Sequence, residues 1–448
     1  MVCVFCRLSK EETRTRGGPP PSDEKSGGGA FVLRVKNRML SRPFVSTFVK
    51  SSSSIIEVGK GVSALATTTT KTTTTTTKKN ASSSSVNKIV VMRSAGTTPS
   101  DESTPPTNTK TASTMMQFCD IGANVVSATG DTQFDGFYHH GSKRYHESDV
   151  VDVLERAHKV GVREILATSG TLDEAKATAR QCRTWNTGGG GGENTAALPK
   201  MYGTVGVHPT RAGEFNDSTK CESPEAYVDA LKTVVRENAD VVAAIGECGL
   251  DYDRLHFCDK ETQKKYFQLQ LEELAGEFEL PLFLHSRNSR EDFYEILKRN
   301  ARHLRKGAVV HSFTGSKEEF EELLALHDKV YIGVNGCSLK TEENVEVVKS
   351  IPLDRMLLET DAPWCGVKQT HFGTKYVPAE TDRIRAVFGP PLKPKKWQKG
   401  ALIKDRCEPC HIVTVCQIVA GCKGTTCEDV AAACYRNSRA LFFPLKDE

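Results

Sequence analysis

The feature of this sequence that most constrains its fold is an alternation of short apolar runs with amphipathic segments, which begins at Met116 and continues almost to the end of the chain. The apolar runs have the length and composition of strands, and the segments between them have helical periodicity. The eight predicted strands are 117–123, 162–169, 201–207, 241–247, 282–285, 308–313, 330–334 and 356–361. The predicted helices are 148–160, 172–185, 224–238, 261–280, 291–304, 317–326, 342–351, 411–420 and 428–442.

Strands that alternate with helices of this length form parallel βα units, and eight such units predict a closed (β/α)8 barrel, the TIM barrel fold. The alternative is a doubly wound open sheet. That fold would place a glycine-rich phosphate loop after the first strand, and the sequence Asp120-Ile121-Gly122-Ala123-Asn124 is not such a loop. We therefore predict one α/β barrel domain over residues 116–448.

Residues 1–115 differ in composition from the rest of the chain. They contain 17 Lys and Arg against 7 Asp and Glu, a charge of +10, so residues 116–448 must carry −6 to give the net charge of +4. Ser, Thr, Gly and Pro dominate this leader, and such a sequence cannot bury enough apolar surface to offset the entropy lost on ordering. We predict that the leader is disordered.

Part of the leader has the composition of an organelle transit segment. Residues 31–50 contain five Lys and Arg and no acidic residue, although acidic residues precede them. An untargeted tail, or a translation start at Met39, Met92 or Met115, is the alternative. The predicted location is the cytoplasm or nucleus, with mitochondrial or plastid import if the leader is a transit segment.

The apolar runs and the cysteines exclude two further classes. No window approaches the roughly 20 apolar residues of a transmembrane helix, so we predict no membrane association. Thirteen of the 15 cysteines follow residue 116, several beside strand-like runs, as expected of free thiols in a reducing compartment. The pair Cys407-x-x-Cys410 lacks a second pair at zinc-site spacing, which favours a structural role.

Polar side chains end four of the predicted strands. The carboxyl ends of barrel strands meet at one mouth, where the chemistry of this fold takes place. Each residue alone would suit a rim hydrogen bond or a turn. Together they predict a divalent-metal site, because clustered carboxylates without a cation would repel one another in a partly buried pocket, and the set suits Zn²⁺, Mn²⁺ or Mg²⁺. The four residues are Glu247, His285, His311 and Asp361.

Two further residues at strand ends are candidates for binding substrate. His208 follows strand three and lies beside the same predicted mouth. Arg287 follows His285 by two residues, and its guanidinium could bind a phosphate or carboxylate through two hydrogen bonds. A structural role for His208 and a rim salt bridge for Arg287 are the alternatives.

The long segment after Asp361 is basic. Residues 364–410 contain 10 Lys and Arg against 4 Asp and Glu, and Trp397 directly follows Lys395 and Lys396. Positive charge attracts phosphates and an aromatic ring can stack on a base, so we predict that these three residues contact nucleic acid. A solvated basic loop is the alternative. Glu408, near the end of the segment, is predicted to stabilise the loop.

Seven short motifs occur in an order typical of one known family. They are Asp120-Ile121-Gly122-Ala123-Asn124, Gly206-Val207-His208-Pro209, Ile245-Gly246-Glu247-Cys248-Gly249-Leu250-Asp251, Leu284-His285-Ser286-Arg287, Val310-His311-Ser312-Phe313-Thr314-Gly315, Glu359-Thr360-Asp361-Ala362-Pro363 and Arg406-Cys407-Glu408-Pro409. Together they resemble the TatD-type metal-dependent deoxyribonucleases. Residues 255–258, 335–341 and 364–368 resemble most the eukaryotic TatD DNase domain-containing branch.

The resemblance implies a barrel of the metal-dependent hydrolase type and a set of ligands. It implies that the four strand-end residues bind one or two divalent ions, with Glu247 bridging where two are present. Many relatives end the first strand with a His-x-His pair, and Gly122 and Asn124 occupy those positions here. A second ion would then depend on Asp120 and Asn124 as weaker ligands, or on substrate phosphate.

Chemistry and resemblance agree on metal-assisted hydrolysis of DNA phosphodiester bonds, with a metal-activated water as nucleophile. Glu247 and Asp361 are the predicted catalytic residues, and Asp361 would accept the proton of the water. We expect Mg²⁺ first, with Mn²⁺ or Zn²⁺ as alternatives. Exonucleolytic action on single strands or free ends is predicted, because one mouth accepts a splayed chain more easily than a duplex; RNA is a second substrate class.

Two other functions are compatible with a barrel. A barrel amidohydrolase would act on a small amide or lactone, but strand four ends in Glu247 rather than in a lysine that could be carbamylated to bridge metals. A non-catalytic nucleic-acid-associated protein would not need all four ligands. The sequence makes no prediction of the oligomeric state.

Overall fold

The computed structural model describes residues 115–127, 129, 133–138, 143–188 and 197–443. The predicted disordered leader and its transit segment lie outside the described residues. Within the described part of the chain, no helix is long and apolar enough to cross a membrane.

Eight parallel strands form one sheet in which each strand pairs with its neighbours in chain order. Their apolar residues are buried on both faces, as expected of a parallel sheet covered by helices. The strands are β1 (Phe118–Ala123), β2 (Val162–Ala167), β3 (Lys200–Val205), β4 (Val242–Asp251), β5 (Leu282–Arg287), β6 (Ala308–His311), β7 (Val330–Val334) and β8 (Met356–Leu358).

The residues that follow β8 close the sheet onto β1. The Asp361 N–H donates to the Gly122 carbonyl at 2.7 Å, and the Asn124 N–H donates to the Ala362 carbonyl at 2.7 Å. A parallel bridge pairs Ala123 with Ala362 at the same place. The predicted TIM barrel is therefore confirmed, and its closure lies directly beside the strand-end carboxylate Asp361.

Helices surround the barrel and begin where the sequence supplies caps. The Thr171 hydroxyl accepts from the Glu174 N–H, and the Ser223 hydroxyl accepts from the Ala226 N–H. The helices are α1 (Val150–Lys159), α2 (Leu172–Asn186), α3 (Pro224–Glu237), α4 (Lys260–Leu269), α5 (Ala275–Glu277), α6 (Arg290–Arg299), α7 (Lys317–Leu326), α8 (Glu342–Ser350), α9 (Arg383–Phe388), α10 (Ile412–Lys423) and α11 (Cys427–Phe442).

The end of α11 fills the amino end of the barrel interior. The Phe443 ring lies 4.7 Å from the ring of Tyr202, near the start of β3. Gly307, just before β6, has φ +95°, and a Cβ there would lie 2.4 Å from Leu441. The buried interior cluster joins these side chains to Cys119, Ile121, Leu166, Ala243, Ala244, Phe283, Val309 and Leu357. This floor leaves the carboxyl end of the barrel for the polar residues.

The structure corrects three predicted boundaries. The fourth strand continues past Glu247 to Asp251. The helix predicted over 261–280 contains a π-helical turn, Gln270–Leu274. The wider hydrogen bonds of this turn keep the backbone helical between α4 and α5. The segment after β8, predicted to lack a helix before residue 411, contains the short helix α9.

Candidate metal centre

Three side chains at the carboxyl ends of β4, β5 and β6 converge on one point. The Nδ1 of His285 lies 2.9 Å from the Oε1 of Glu247, and the Nε2 of His311 lies 2.8 Å from the same oxygen. The two imidazole nitrogens are 3.1 Å apart. All three residues are buried. Their donor atoms therefore face one another at the mouth of the barrel, as the strand-end pattern predicts.

The sheet register explains this convergence. His285 and His311 are direct partners in the β5–β6 ladder, so their side chains lie side by side. The β4–β5 ladder is irregular between Ile245 and Cys248, and Glu247 lies within that irregularity. A bulge of this kind re-aims a side chain. Glu247 consequently points at the two histidines, while β4 continues to Asp251.

Electrostatics couple the three groups strongly. Burial alone would raise the pKa of Glu247, but the neighbouring His311 and His208 hold that pKa well below its ordinary value. Burial alone would lower the pKa of His311, but Glu247 and Glu359 hold that pKa well above its ordinary value. Glu247 is therefore an anion in this pocket, with positive charge favoured beside it.

A second carboxylate lies behind each of the two histidines. The Nδ1 of His311 lies 3.2 Å from the Oε2 of Glu359, whose other oxygen accepts from the Ser312 N–H. The Nε2 of His285 lies 3.3 Å from the Oδ2 of Asp251. Such carboxylates hold an imidazole in one orientation and direct its other nitrogen at a metal. Glu359 and Asp251 are thus positioning residues of the centre.

Glu359→Gln is expected to lower metal affinity by roughly 10- to 100-fold, because the imidazole of His311 loses its charged partner. The barrel should remain folded, since glutamine has nearly the same shape. Titration calorimetry with Mn²⁺ measures the loss. Glu321→Gln, an exposed change on α7 with only a 3.6 Å ion pair to Lys317, is the control. An unaltered Mn²⁺ affinity in Glu359→Gln would contradict the positioning role.

His208 lies beside the centre and is neutral. Its Nε2 is 3.4 Å from the Oε1 of Glu247, and its Nδ1 accepts from the Thr210 N–H at 3.1 Å. Burial lowers the pKa of His208 to about 3. The Gln270 side chain fixes the preceding residue, Val207, by accepting from its N–H at 2.7 Å. His208 therefore presents an Nε2–H toward the mouth, which suits a hydrogen bond to substrate.

Asp361 lies at the same mouth, but it is held by other partners. Its Oδ1 accepts from the Asn124 amide at 2.7 Å, and its Oδ2 accepts from the Cys365 thiol at 2.9 Å. Burial raises the pKa of Asp361 to about 6. Among the described residues, Asp361 is not within the tight group formed by Glu247 and the two histidines. Its role as a metal ligand stays a prediction.

The residues proposed for a second metal lie on β1 and just after it. Asp120 is fully buried, and its carboxylate accepts from the Thr360 N–H at 2.9 Å and from the Thr360 hydroxyl at 2.6 Å. Burial raises the pKa of Asp120 to about 8. A Cβ on Gly122 would lie 2.5 Å from Glu359. The space for a side chain at position 122 is therefore filled by Glu359, and metal binding by Asp120 and Asn124 stays a prediction.

Arg287 ends β5 next to the centre. Its Nε is buried and has no hydrogen-bond partner among the described residues. A buried donor without a partner is costly, and an anionic ligand would satisfy it. This arrangement supports the predicted role of Arg287 in binding substrate.

Some charged residues of the basic segment, residues 364–410, are exposed, and others are buried in ion pairs. Lys395 and Lys396 are exposed and have no ion-pair partner within the described ranges. The Trp397 ring stacks on His146 at 4.7 Å, and its indole N–H donates to Asp149 at 3.3 Å. Arg406 is buried against Asp149 at 2.7 Å. The segment is therefore no uniform funnel, although Lys395 and Lys396 are exposed to solvent, where they can meet phosphate.

The donor set suits a divalent cation. Two imidazole nitrogens and one carboxylate oxygen converge within 3.1 Å of one another, which is the ligand chemistry of Zn²⁺ and Mn²⁺ sites. A second set, His208, Asp251 and His285, also brings donor atoms within 4.8 Å. Both sets share His285, so the two groups of donor atoms are adjacent.

Sequence reasoning missed Glu359 and Asp251. Glu359 is two residues before Asp361, so strand alternation could have placed both on one face. Asp251 is four residues beyond the predicted end of its strand, because β4 continues to Asp251. The length of β4 therefore decides whether Asp251 is recognised as a residue of the mouth.

The chain is similar to several known proteins. A family model described as TatD related DNase matches residues 134–443. The chain is 38% identical over 330 residues to Deoxyribonuclease Tat-D of Schizosaccharomyces pombe, covering 72% of this chain and 95% of that protein. It is 32% identical over 329 residues to the 3'-5' ssDNA/RNA exonuclease TatD of Erwinia amylovora, covering 72% and 98% of the two chains.

A solved structure has the same architecture. The hydrolase TatD family protein from Entamoeba histolytica superposes with a TM-score of 0.63 at 34% identity, covering 74% of this chain and all of that one. The barrel and the order of its strands are therefore shared with relatives of known structure.

Proposed function

Because the chain belongs to the TatD related DNase family and is accordingly a hydrolase of phosphodiester bonds, we propose that it is a divalent-metal-dependent deoxyribonuclease that acts at the barrel mouth. The match to the family model confirms the resemblance to TatD-type deoxyribonucleases that the sequence motifs indicate. The observation that carries the proposal is the convergence of His285 and His311 on one oxygen of Glu247, at 2.9 and 2.8 Å.

The residues of the mouth divide the work between them. A divalent cation held by Glu247, His285 and His311 would lower the pKa of a water molecule and offset charge on the phosphodiester oxygens. Asp361 would accept the proton of that water, because its carboxylate is oriented by Asn124 at the same mouth. Mg²⁺ or Mn²⁺ is the expected physiological ion, with Zn²⁺ as the alternative.

The surroundings of the centre support a single-stranded substrate. His208 offers an Nε2–H beside Glu247. The buried Nε of Arg287 has no hydrogen-bond partner among the described residues, so it can donate to a substrate oxygen. Lys395 and Lys396 add exposed positive charge, and the Trp397 ring, which stacks on His146, stays a predicted contact for a base. The relative in Erwinia amylovora is named a 3'-5' ssDNA/RNA exonuclease. We accordingly infer exonucleolytic action on single strands or free ends of DNA, with RNA as a second substrate.

Metal removal tests the proposal. We expect EDTA to abolish cleavage of end-labelled single-stranded DNA by the full chain, and added Mg²⁺ or Mn²⁺ to restore it. His285→Ala should cut activity at least about hundredfold, because the loss of one ligand weakens the whole set. His327→Ala is the matched control, since the His327 ring lies after α7, beside the adjacent Asp328 and the Lys329 N–H.

Two results would overturn the proposal. One is activity that EDTA leaves unchanged. The other is a His285→Ala protein that cleaves as fast as His327→Ala does at equal folding, judged by circular dichroism.

A further inference from the structure

Two cysteines meet at the edge of the proposed active site. The Sγ of Cys337 lies 2.9 Å from the Sγ of Cys365, and both residues are free thiols of intermediate exposure. Cys337 follows β7, and Cys365 follows β8 by a tight turn in which the Trp364 N–H donates to the Asp361 carbonyl at 2.9 Å. Two neighbouring strand ends therefore deliver one thiol each to a single place.

Hydrogen bonds and backbone packing in the two loops keep the Cys337 and Cys365 thiols close together. The Cys337 N–H donates to the Asn335 side chain at 2.8 Å, and the amide of Asn335 donates to the Ser312 hydroxyl at 3.0 Å. A Cβ on Gly336 would lie only 1.9 Å from the Cys365 carbonyl oxygen, so the two loops pack backbone against backbone. A disulfide bond is about 2.05 Å long, so roughly 0.9 Å of further approach would allow bonding.

One of the two thiols also touches the proposed proton acceptor. The Cys365 thiol donates to the Oδ2 of Asp361 at 2.9 Å. A thiol carries a single hydrogen, and oxidation to a disulfide removes it. The carboxylate would then lose one of its two side-chain donors and keep only Asn124.

We propose that Cys337 and Cys365 form a reversible disulfide that lowers nuclease activity by removing the thiol hydrogen bond to Asp361. The effect on activity rests on the proposed function, whereas the disulfide itself does not. The site would be a reversible oxidation site for a peroxide, reset by a dithiol reductant.

The oxidation balances with hydrogen peroxide as the named oxidant. One thiol attacks peroxide, its sulfur gains the S–O bond of a sulfenic acid as the O–O bond breaks, and one water leaves. The second thiol attacks that sulfur, the S–S bond forms, the S–O bond breaks, and the departing hydroxide leaves as water with the thiol proton. Two thiols lose two electrons and two hydrogens, and one peroxide becomes two waters. A dithiol reverses this by thiol–disulfide exchange.

Peptide mapping tests the disulfide without reference to activity. Full-length protein is treated with hydrogen peroxide, the excess is removed with catalase, free thiols are alkylated, and the protein is digested without reduction. We expect the peptides that contain residues 337 and 365 to be joined, two hydrogens lighter than their sum. Cys337 recovered without a cross-link, either as a sulfenic acid or as an alkylated thiol, would overturn the proposal.

The same samples are assayed on single-stranded DNA with Mg²⁺. We expect oxidation to lower activity on the order of tenfold, the size of losing one hydrogen bond to a charged group, and dithiothreitol to restore it. Cys337→Ser should match the reduced wild type and resist peroxide. Cys221→Ser, a partly exposed thiol before α3, should stay as sensitive as wild type.

The outcomes separate the two proposals. A cross-link with unchanged nuclease activity would overturn the control of Asp361. Activity lost equally in wild type and Cys337→Ser would also overturn it. If the reduced protein cleaves no DNA, the proposed function fails, while the cross-linked peptide still decides whether the disulfide forms.

Discussion

Glu247→Gln is expected to lower the rate of DNA cleavage by about a thousandfold and to leave the barrel folded. One oxygen of Glu247 faces imidazole nitrogens of His285 at 2.9 Å, His311 at 2.8 Å and His208 at 3.4 Å. A neutral amide cannot supply the negative charge that this set presents to a cation. Several kcal/mol of charge stabilisation would be lost, and about 4 kcal/mol corresponds to roughly a thousandfold in rate.

The measurement combines single-turnover cleavage of labelled DNA with calorimetric titration of Mn²⁺. Both activity and metal affinity should fall together in Glu247→Gln. Glu261→Gln is the matched control, because Glu261 is exposed on α4 and pairs only with Lys264 one turn away. If Glu247→Gln kept wild-type activity while binding no metal, a metal-dependent mechanism at this site would be wrong.

The second large effect concerns stability. Glu408→Ala is expected to destabilise the protein by about 3–5 kcal/mol, because it leaves buried guanidinium groups without their anion. Glu408 is fully buried, and its carboxylate binds the Nε of Arg156 at 2.8 Å and the Nη2 of Arg406 at 2.8 Å. Arg406 also binds Asp149, which directly precedes α1. The network ties the basic segment to α1.

Thermal and urea unfolding measure this loss, and Tm should fall on the order of 10 °C. Glu346→Ala is the control, since its exposed 3.5 Å pair with Lys349 should be worth at most about 0.5 kcal/mol. Glu408 contacts none of the predicted metal ligands. At temperatures well below the Tm of the variant, the rate of cleavage per folded molecule should therefore match that of wild type. Equal Tm values in Glu408→Ala and Glu346→Ala would contradict the buried network.

The same network of ion pairs makes the stability of the protein depend on pH. Burial alone would raise the pKa values of Asp149 and Glu408, but Arg406, with Arg156 beside Glu408, holds both pKa values below their ordinary range. Groups with lowered pKa stabilise the folded state above their unfolded pKa of about 4, and this contribution disappears as pH falls through the folded pKa. The stability gap between wild type and Glu408→Ala should therefore be full at neutral pH and shrink below about pH 4.

Local sequence patterns were sufficient for the barrel and for its central ligands. Apolar runs of strand length mark all eight strands, and the convergence of Glu247, His285 and His311 follows from their positions at the strand ends. This works because parallel strands in a closed barrel end at one mouth whatever the loops between them do.

The remaining features depend on irregularity and on contacts distant in sequence. Asp251 reaches the mouth because β4 continues beyond Glu247, where the sequence pattern predicts the strand to end. Arg406 counts toward the positive charge of the basic segment in sequence, yet it pairs with Asp149 across 257 positions of chain. Net charge counts residues, whereas attraction for a ligand depends on the charges that are left unpaired.

The floor formed by the end of α11 has a consequence for synthesis of the chain. Every residue of the metal centre precedes Leu441 and Phe443, which fill the amino end of the interior. A nascent chain emerges from its amino terminus, so the ligands can leave the ribosome while the interior below them is still open to water. Apolar surface exposed in that interval favours aggregation. The side chains at the end of α11 therefore complete the barrel interior only after all residues of the metal centre have been synthesised.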